Sequence, residues 1–375
     1  MTGSLGGRRM AGNVALNLLG HGLPLVAALP AVPLLVQGAG TERFGLLTIA
    51  WVLVGYVGLF DFGMGRALTH AVADRVGDGR SREVPALMRL GSRVALGLSV
   101  AAAAALALTA EALVGFLRLD PVLAAEAVPA LQVLALAVPF VVVGAVLRGG
   151  LEGLHRFGAV NAVRVPMGVA TFVAPLAVLP WSRHLAALVA GLLVARVLGW
   201  AGYAWALRRA LRAEAFRMQS EAAGLDGAGS GVRDLLTYGG WATVSNLVSP
   251  LMVHFDRVVI GAVLSATAVA FYTTPFEVAH RLLVIPGAVV AVFFPAFAAL
   301  RRTPNGAARL LDDAVRGILL LMVPPAALLF ALAPEGLELW VGPDFAEAGA
   351  APARWLLVGM VVNGVAHVPF VFVQG

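Results

Sequence analysis

The chain alternates between long runs almost free of charge and short clusters rich in arginine. A bilayer core ~30 Å thick is crossed by a helix of ~20 apolar residues. Ten segments meet that length: about 10–36, 44–72, 92–117, 123–147, 158–180, 185–207, 235–262, 268–300, 310–333 and 351–374. Lipid offers the backbone no hydrogen-bond partner, so each run must satisfy its own peptide groups as a helix. The pattern predicts an all-α polytopic membrane protein. Pro275, Pro286 and Pro295 fall in one long run, 268–300, and predict kinks there.

The polar clusters give the orientation, because cytoplasmic loops collect arginine and lysine. With the N-terminus inside, the inner ends hold Arg8 and Arg9, then Arg75, Arg80, Arg82 and Arg89, then Arg148 and Arg156. Further inner clusters are Arg208, Arg209, Arg212, Arg217 and Arg233, then Arg301, Arg302 and Arg309. The outer loops hold only Arg43, Arg118 and Arg183, with Arg354 at a helix end, while Glu335, Glu338, Asp344 and Glu347 make the last outer loop acidic. The alternation holds through all ten segments. A merged or missed helix would have reversed it.

One long polar interruption, 209–232, starts as a basic helix and ends in a Gly/Ser-rich linker. It divides the chain into an N-terminal lobe of six helices, 1–208, a cytoplasmic linker, and a C-terminal lobe of four, 233–375. The lobes share a faint echo: Asn17 and Pro24 ahead of Phe44-Gly45, and Asn246 and Pro250 ahead of Phe271-Tyr272. Internal duplication is a common build among transporters. The tenth segment reaches Gly375 without a basic tail, which predicts that the C-terminal lobe is incomplete and that further helices follow.

Composition agrees with lipid as the main solvent. Of 375 residues 60% are hydrophobic and 13% charged, against about a quarter charged in soluble domains. The mean hydropathy is +0.88. All 27 basic residues are arginine, and cysteine is absent, which removes disulfides and thiolate chemistry. A pI near 10.8 is compatible with nucleic-acid binding, but the arginines are scattered among apolar runs instead of forming a stripe. No nucleic acid is expected. The apolar run after Arg8-Arg9 is too long for a cleaved signal, and a first membrane helix explains it better.

No H-E-x-x-H, G-x-x-x-x-G-K-[ST] or G-x-S-x-G motif is present, and no cofactor is implied. Gly63–Gly65 read as G-x-G but lie inside a membrane segment, where small residues serve close helix packing. The remaining candidates are charges within the apolar runs, each costing at least ~2.5–3.5 kcal/mol at the bilayer centre. Arg196 lies roughly eleven residues into its segment, near mid-depth. Glu277 and Arg281 are spaced i,i+4 and can pair, with His280 beside them. Asp256 and Arg257, with His254, sit in the outer third of their segment, and Asp61 and Arg66 in the inner half of theirs.

The bland reading makes these charges internal ion pairs, histidines packing groups, and Arg66 a snorkelling side chain. The functional reading gives an anionic ligand a favourable interior, since arginine forks match phosphate oxygens. The carboxylates Asp61, Asp256 and Glu277 would then couple transport to an ion.

The stretch DRVVIGAVLSATAVAFYTTPFEVAHRLLVIPGAVVAVFFPAFAAL (256–300) resembles the seventh-to-eighth helix region of Wzx-like polysaccharide flippases. These belong to the multidrug/oligosaccharidyl-lipid/polysaccharide exporter superfamily. FGLLTIAWVLVGYVGLFDFGMGRALTHAVA (44–73) is similar to the family's second helix, and LRGGLEGLHRFGAVNAVR (147–164) to its fourth-to-fifth helix loop. The resemblance implies a bundle of two six-helix lobes around a central cavity, working by alternating access in the bacterial cytoplasmic membrane. It implies an undecaprenyl-pyrophosphate-linked oligosaccharide as cargo, for O-antigen, capsule or exopolysaccharide export. Arg196, Arg257, Arg281 and Arg66 would line the cavity, with a polysaccharide polymerase and glycosyltransferases as partners. Ten helices here depart from the family's usual twelve to fourteen.

Two rivals remain. A cation-coupled drug or metabolite exporter of the same superfamily would depend on the carboxylates instead of Arg196. A membrane polymerase or glycosyltransferase would be expected to carry a large extramembrane loop or an acidic metal motif; the longest loop here is ~25 residues and has no D-x-D.

Overall fold

The structure, a computed structural model, describes residues 23–24, 26–57, 64–117, 119–220, 255–287, 289 and 304–374. Every regular element among them is helical. The chain divides into two compact units, Met1–Ala266 and Thr267–Gly375.

The first unit contains α1 (Val26–Ala39), α2 (Thr41–Val57), α3 (Met64–Gly77), α4 (Val84–Leu108), α5 (Ala110–Gly115), α6 (Pro121–Gly153), α7 (Phe157–Val178) and α8 (Leu185–Ser220), then α9 over 255–263. The second contains α10 (Ala266–Arg281, starting at the boundary), α11 (Pro304–Ala331), α12 (Ala333–Trp340) and α13 (Pro343–Gln374). Among the described residues six helices are long and apolar enough to cross a membrane. They correspond to the expected segments at 92–117, 123–147, 158–180, 185–207, 310–333 and 351–374. The other four expected segments are partly described or lie mostly outside the described residues.

Boundaries moved where local chemistry overrode hydropathy. The helix expected at 92 begins at Val84, because Pro85 in its first turn is pre-set for a helix start. It therefore carries Arg89 and Arg93 on its exposed face. The basic 209–220 stretch is a direct continuation of α8. Of the linker expected at 209–232, residues 221–232 lie outside the described residues. α10 stops at Arg281, and a turn at 282–283 precedes helical backbone at 284–287. Pro286 offers no N–H to continue the ladder and its ring clashes with the carbonyl four residues back, at Leu282, which fits a break there. Pro295 lies outside the described residues.

α6 is the hub of the first unit. Asp120 caps it, its carboxylate accepting from Val122 N at 2.9 Å. Its side chains Val138, Val142, Val146 and Leu151 pack with Leu68 and Val72 of α3, Leu87 and Met88 of α4, and Tyr203 and Leu207 of α8. Glycine permits the closest approach. A Cβ added at Gly149 would strike the carbonyl of Gly65, and one at Gly153 the carbonyl of Thr69. The Thr69 hydroxyl lies 2.9 Å from Gly65 O and 3.1 Å from Gly149 O, so it spans this crossing. Gly65 is thus a packing residue of a tight α3–α6 contact. Gly63 lies outside the described residues.

In the second unit Phe276 and Ala279 of α10, Ile318 and Met322 of α11, and Leu357, Met360 and Val368 of α13 form one core. Phe271 meets Phe345 edge to face, centroids 4.8 Å apart.

Candidate functional site

Two arginines with buried Nε atoms, Arg164 and Arg196, lie where α7 and α8 pack antiparallel. On α8 the buried positions Leu188, Leu192, Tyr203, Leu207 and Ala210 share one helical face, and Arg196 falls within it. On α7 the facing stripe is Val160, Arg164, Met167 and Thr171. The register is fixed by small residues: Gly191 lies against Ala174, Gly199 against Met167, and Gly202 against Val163. Arg196 therefore meets Thr171, and its Nη2 donates to the hydroxyl at 3.1 Å. Thr171 donates in turn to the Met167 carbonyl at 3.1 Å, so the hydroxyl's position is fixed.

What Arg196 lacks is decisive. No carboxylate pairs with it among the described residues, and its buried Nε has no hydrogen-bond partner. Seven residues on, Tyr203 is 3% exposed and its hydroxyl also lacks a partner among the described residues. Arg148, Arg164, Arg196 and Glu152 all act electrostatically on this phenol. Glu152 is taken up in part by Arg148, 3.7 Å away. Near Thr171, Trp51 of α2 stacks edge-on against Phe172 at 5.1 Å, and its indole N–H is buried without a partner among the described residues. Orphaned donors in an apolar interior are costly unless water or a ligand accepts from them. Such a site suits an acceptor-rich anion.

The other expected residues fall elsewhere. Arg257, in α9, is 2% exposed, and Asp256 accepts from the Arg257 backbone N–H at 2.7 Å. Glu277 and Arg281 do pair, at 3.8 Å, with side chains 40% and 34% exposed. His280 stacks on Phe276, centroids 5.4 Å apart, as a packing histidine would. Arg66 is exposed on α3. Asp61 and His254 lie outside the described residues.

Two sets of residues escaped the sequence reading. Arg164, Thr171 and Tyr203 join Arg196 only through the α7–α8 register; the signal available was that Arg164–Thr171 and Arg196–Tyr203 are each spaced i,i+7. The second set is Glu126 with Arg43 and His184, joined across α6, α2 and the α7–α8 loop.

A family model described as polysaccharide biosynthesis protein matches residues 40–349. The chain belongs to this polysaccharide biosynthesis family. Among its relatives is a "Putative O-antigen transporter" of Shigella flexneri, 28% identical over 362 residues, covering 96% of this chain and 84% of that protein. A shorter match, 27% over 143 residues, joins 38% of this chain to 28% of EpsK, an uncharacterized membrane protein of Bacillus subtilis. Among solved structures, an inward-facing multidrug-resistance MATE transporter of the MOP superfamily gives a TM-score of 0.70 at 15% identity, over 95% of this chain and 86% of that one. A MOP transporter from Pyrococcus furiosus gives 0.59 at 16%, over 96% and 83%. At such identities the likeness establishes the fold: this polysaccharide biosynthesis protein has the two-lobed, all-helical MATE-type architecture of a multi-pass membrane protein.

Proposed function

We propose that this protein is a flippase that carries an undecaprenyl-pyrophosphate-linked oligosaccharide across the bacterial cytoplasmic membrane by alternating access. The cargo would serve O-antigen or another surface polysaccharide. The observation that carries this reading is Arg196: a guanidinium inside an apolar bundle, held by Thr171 and without a carboxylate among the described residues. An interior cation left unneutralised by the protein is matched by a cargo that brings its own negative charge. A pyrophosphate bridge does so, and its oxygens accept bidentate bonds from arginine. The family and the Shigella relative support the same cargo class.

In this reading Arg196 and Arg164 receive the pyrophosphate in the first unit. Arg257, Arg281 and Arg66 line the rest of the route, and Asp61, Asp256 and Glu277 are candidates for ion coupling. The lobes are 1–208 and 233–375 with 209–232 as linker. The N-terminus and arginine-rich loops face the cytoplasm. The protein transports without catalysing a reaction and works beside a polysaccharide polymerase and glycosyltransferases.

The test is complementation of a flippase-deleted strain, with undecaprenyl-linked intermediates measured on the cytoplasmic face. R196A should accumulate them at normal protein levels, and R196K should recover part of the flux. If R196A transports normally while E277A and D256A abolish transport, the cation-coupled exporter replaces this reading.

A further inference from the structure

The outward face of α8 points away from Arg196 and carries a separate signal. At 100° per residue, Val194, Leu198, Ala201, Trp205, Arg208, Arg209 and Arg212 fall within one arc, opposite the buried stripe. All seven are exposed: Val194 at 57%, Leu198 at 67% and Trp205 at 64%, and Ala201 and the three arginines likewise. Along this stripe the chemistry runs aliphatic, aromatic, cationic. The same order is met on passing from acyl chains through the interface to the headgroups.

The dimensions agree. From Leu185 to Trp205 is about twenty residues, ~30 Å of helix, the thickness of a hydrocarbon core. At the other end Trp181 is 84% exposed, so a tryptophan marks each boundary. Trp205 and Arg209 are also coupled, the guanidinium carbon lying 5.5 Å from the ring centroid. This cation–π contact holds the charge at the level of the indole. α8 runs on to Ser220, so the arginines stand on rigid helix and not on a loose tail.

We propose that the Trp205–Arg212 face of α8 is a docking surface for anionic phospholipid headgroups of the leaflet on the arginine-rich side. Charge complementarity commits the occupant: three exposed cations within about one and a half turns, with no acidic residue on the same stripe. Bulk lipid is favoured over cargo because the stripe faces away from the Arg196–Tyr203 side of the helix. Each arginine near an anionic surface strengthens association about fivefold, so removing three weakens it roughly a hundredfold.

The full chain, purified in neutral detergent, would be melted with added phosphatidylglycerol or phosphatidylcholine. Wild type should gain several degrees from phosphatidylglycerol alone, and the gain should fade in ~1 M salt, where the Debye length is ~3 Å. The variant R208Q/R209Q/R212Q should lose that gain, and the triple lysine variant should keep most of it. Should the glutamine variant fail to fold, native mass spectrometry of R212Q supplies the second readout: fewer bound phosphatidylglycerol molecules than wild type, with phosphatidylcholine unchanged. The proposal is overturned if the glutamine variant keeps the selective gain, if the lysine variant loses it, or if R212Q binds as much phosphatidylglycerol as wild type.

Discussion

Arg43 at the start of α2 grips Glu126 of α6 through two hydrogen bonds, Nε to Oε2 at 2.8 Å and Nη2 to Oε1 at 2.6 Å. The same carboxylate accepts the Leu185 backbone N–H at 3.2 Å, satisfying a first-turn donor of α8, and lies 3.4 Å from His184 Nδ1. One side chain thus ties the ends of three helices. Glu126 is only 11% exposed, so loss of Arg43 would leave a largely buried charge.

The first prediction concerns this clasp. E126A removes a bidentate, charge-assisted pair and the acceptor of an α8 N–H, and should cost about 2–3 kcal/mol. R43A should cost a similar amount. The double variant should cost far less than the sum, because each single change already breaks the pair. Thermal melting of the purified protein checks the cycle; additive losses would mean that the two residues act separately.

A second prediction follows from the α3–α6 crossing. At Gly149 an added Cβ meets the Gly65 backbone carbonyl, which cannot swing aside as a side chain would. G149A should therefore cost about 1–3 kcal/mol and lower the yield of folded protein. G97A is the control, since a Cβ there meets nothing within 4 Å, and alanine is the better helix former. Equal melting temperatures for the two variants would contradict the packing account.

How much of this was readable beforehand depends on range. The membrane helices were legible because hydropathy over twenty residues is a local property. Gly65 was legible as a packing residue for the same reason: in a membrane run a small side chain has few other uses. Arg196 stood out because charge at mid-depth is rare, but its partner Thr171 lies on a neighbouring helix and depends on the α7–α8 register. Glu126 was not legible at all. Its role joins residues 59 and 83 positions away, and nothing in its own neighbourhood announces a clasp. Hydropathy over 92–117 marks the apolar run of α4 and not its first turns, which Pro85 opens and which carry Arg89.

The third prediction tests whether the half-exposed ion pair of the second unit is structural. Glu277 and Arg281 are 3.8 Å apart with both side chains over a third exposed. Where water reaches it, such a pair contributes less than ~1 kcal/mol. E277Q should leave the melting temperature within about 2 °C of wild type. A loss of transport in E277Q would then report coupling or cargo contact, whereas a large loss of stability would assign the pair a structural role.

The last prediction sets stability against transport at Tyr203. Its hydroxyl is buried beside Leu207 and Val146 in the α4–α6–α8 core and has no hydrogen-bond partner among the described residues. An orphaned buried donor costs about 1–3 kcal/mol, so Y203F should melt at the same temperature as wild type or higher. If the phenol donates to the cargo, together with Arg196 and Arg164, the same variant should transport more slowly. Complementation and melting of Y203F separate the cases. A stable variant with reduced flux places the hydroxyl at the cargo, while a stable variant with full flux leaves Tyr203 as a core residue and confines cargo contact to the guanidinium groups.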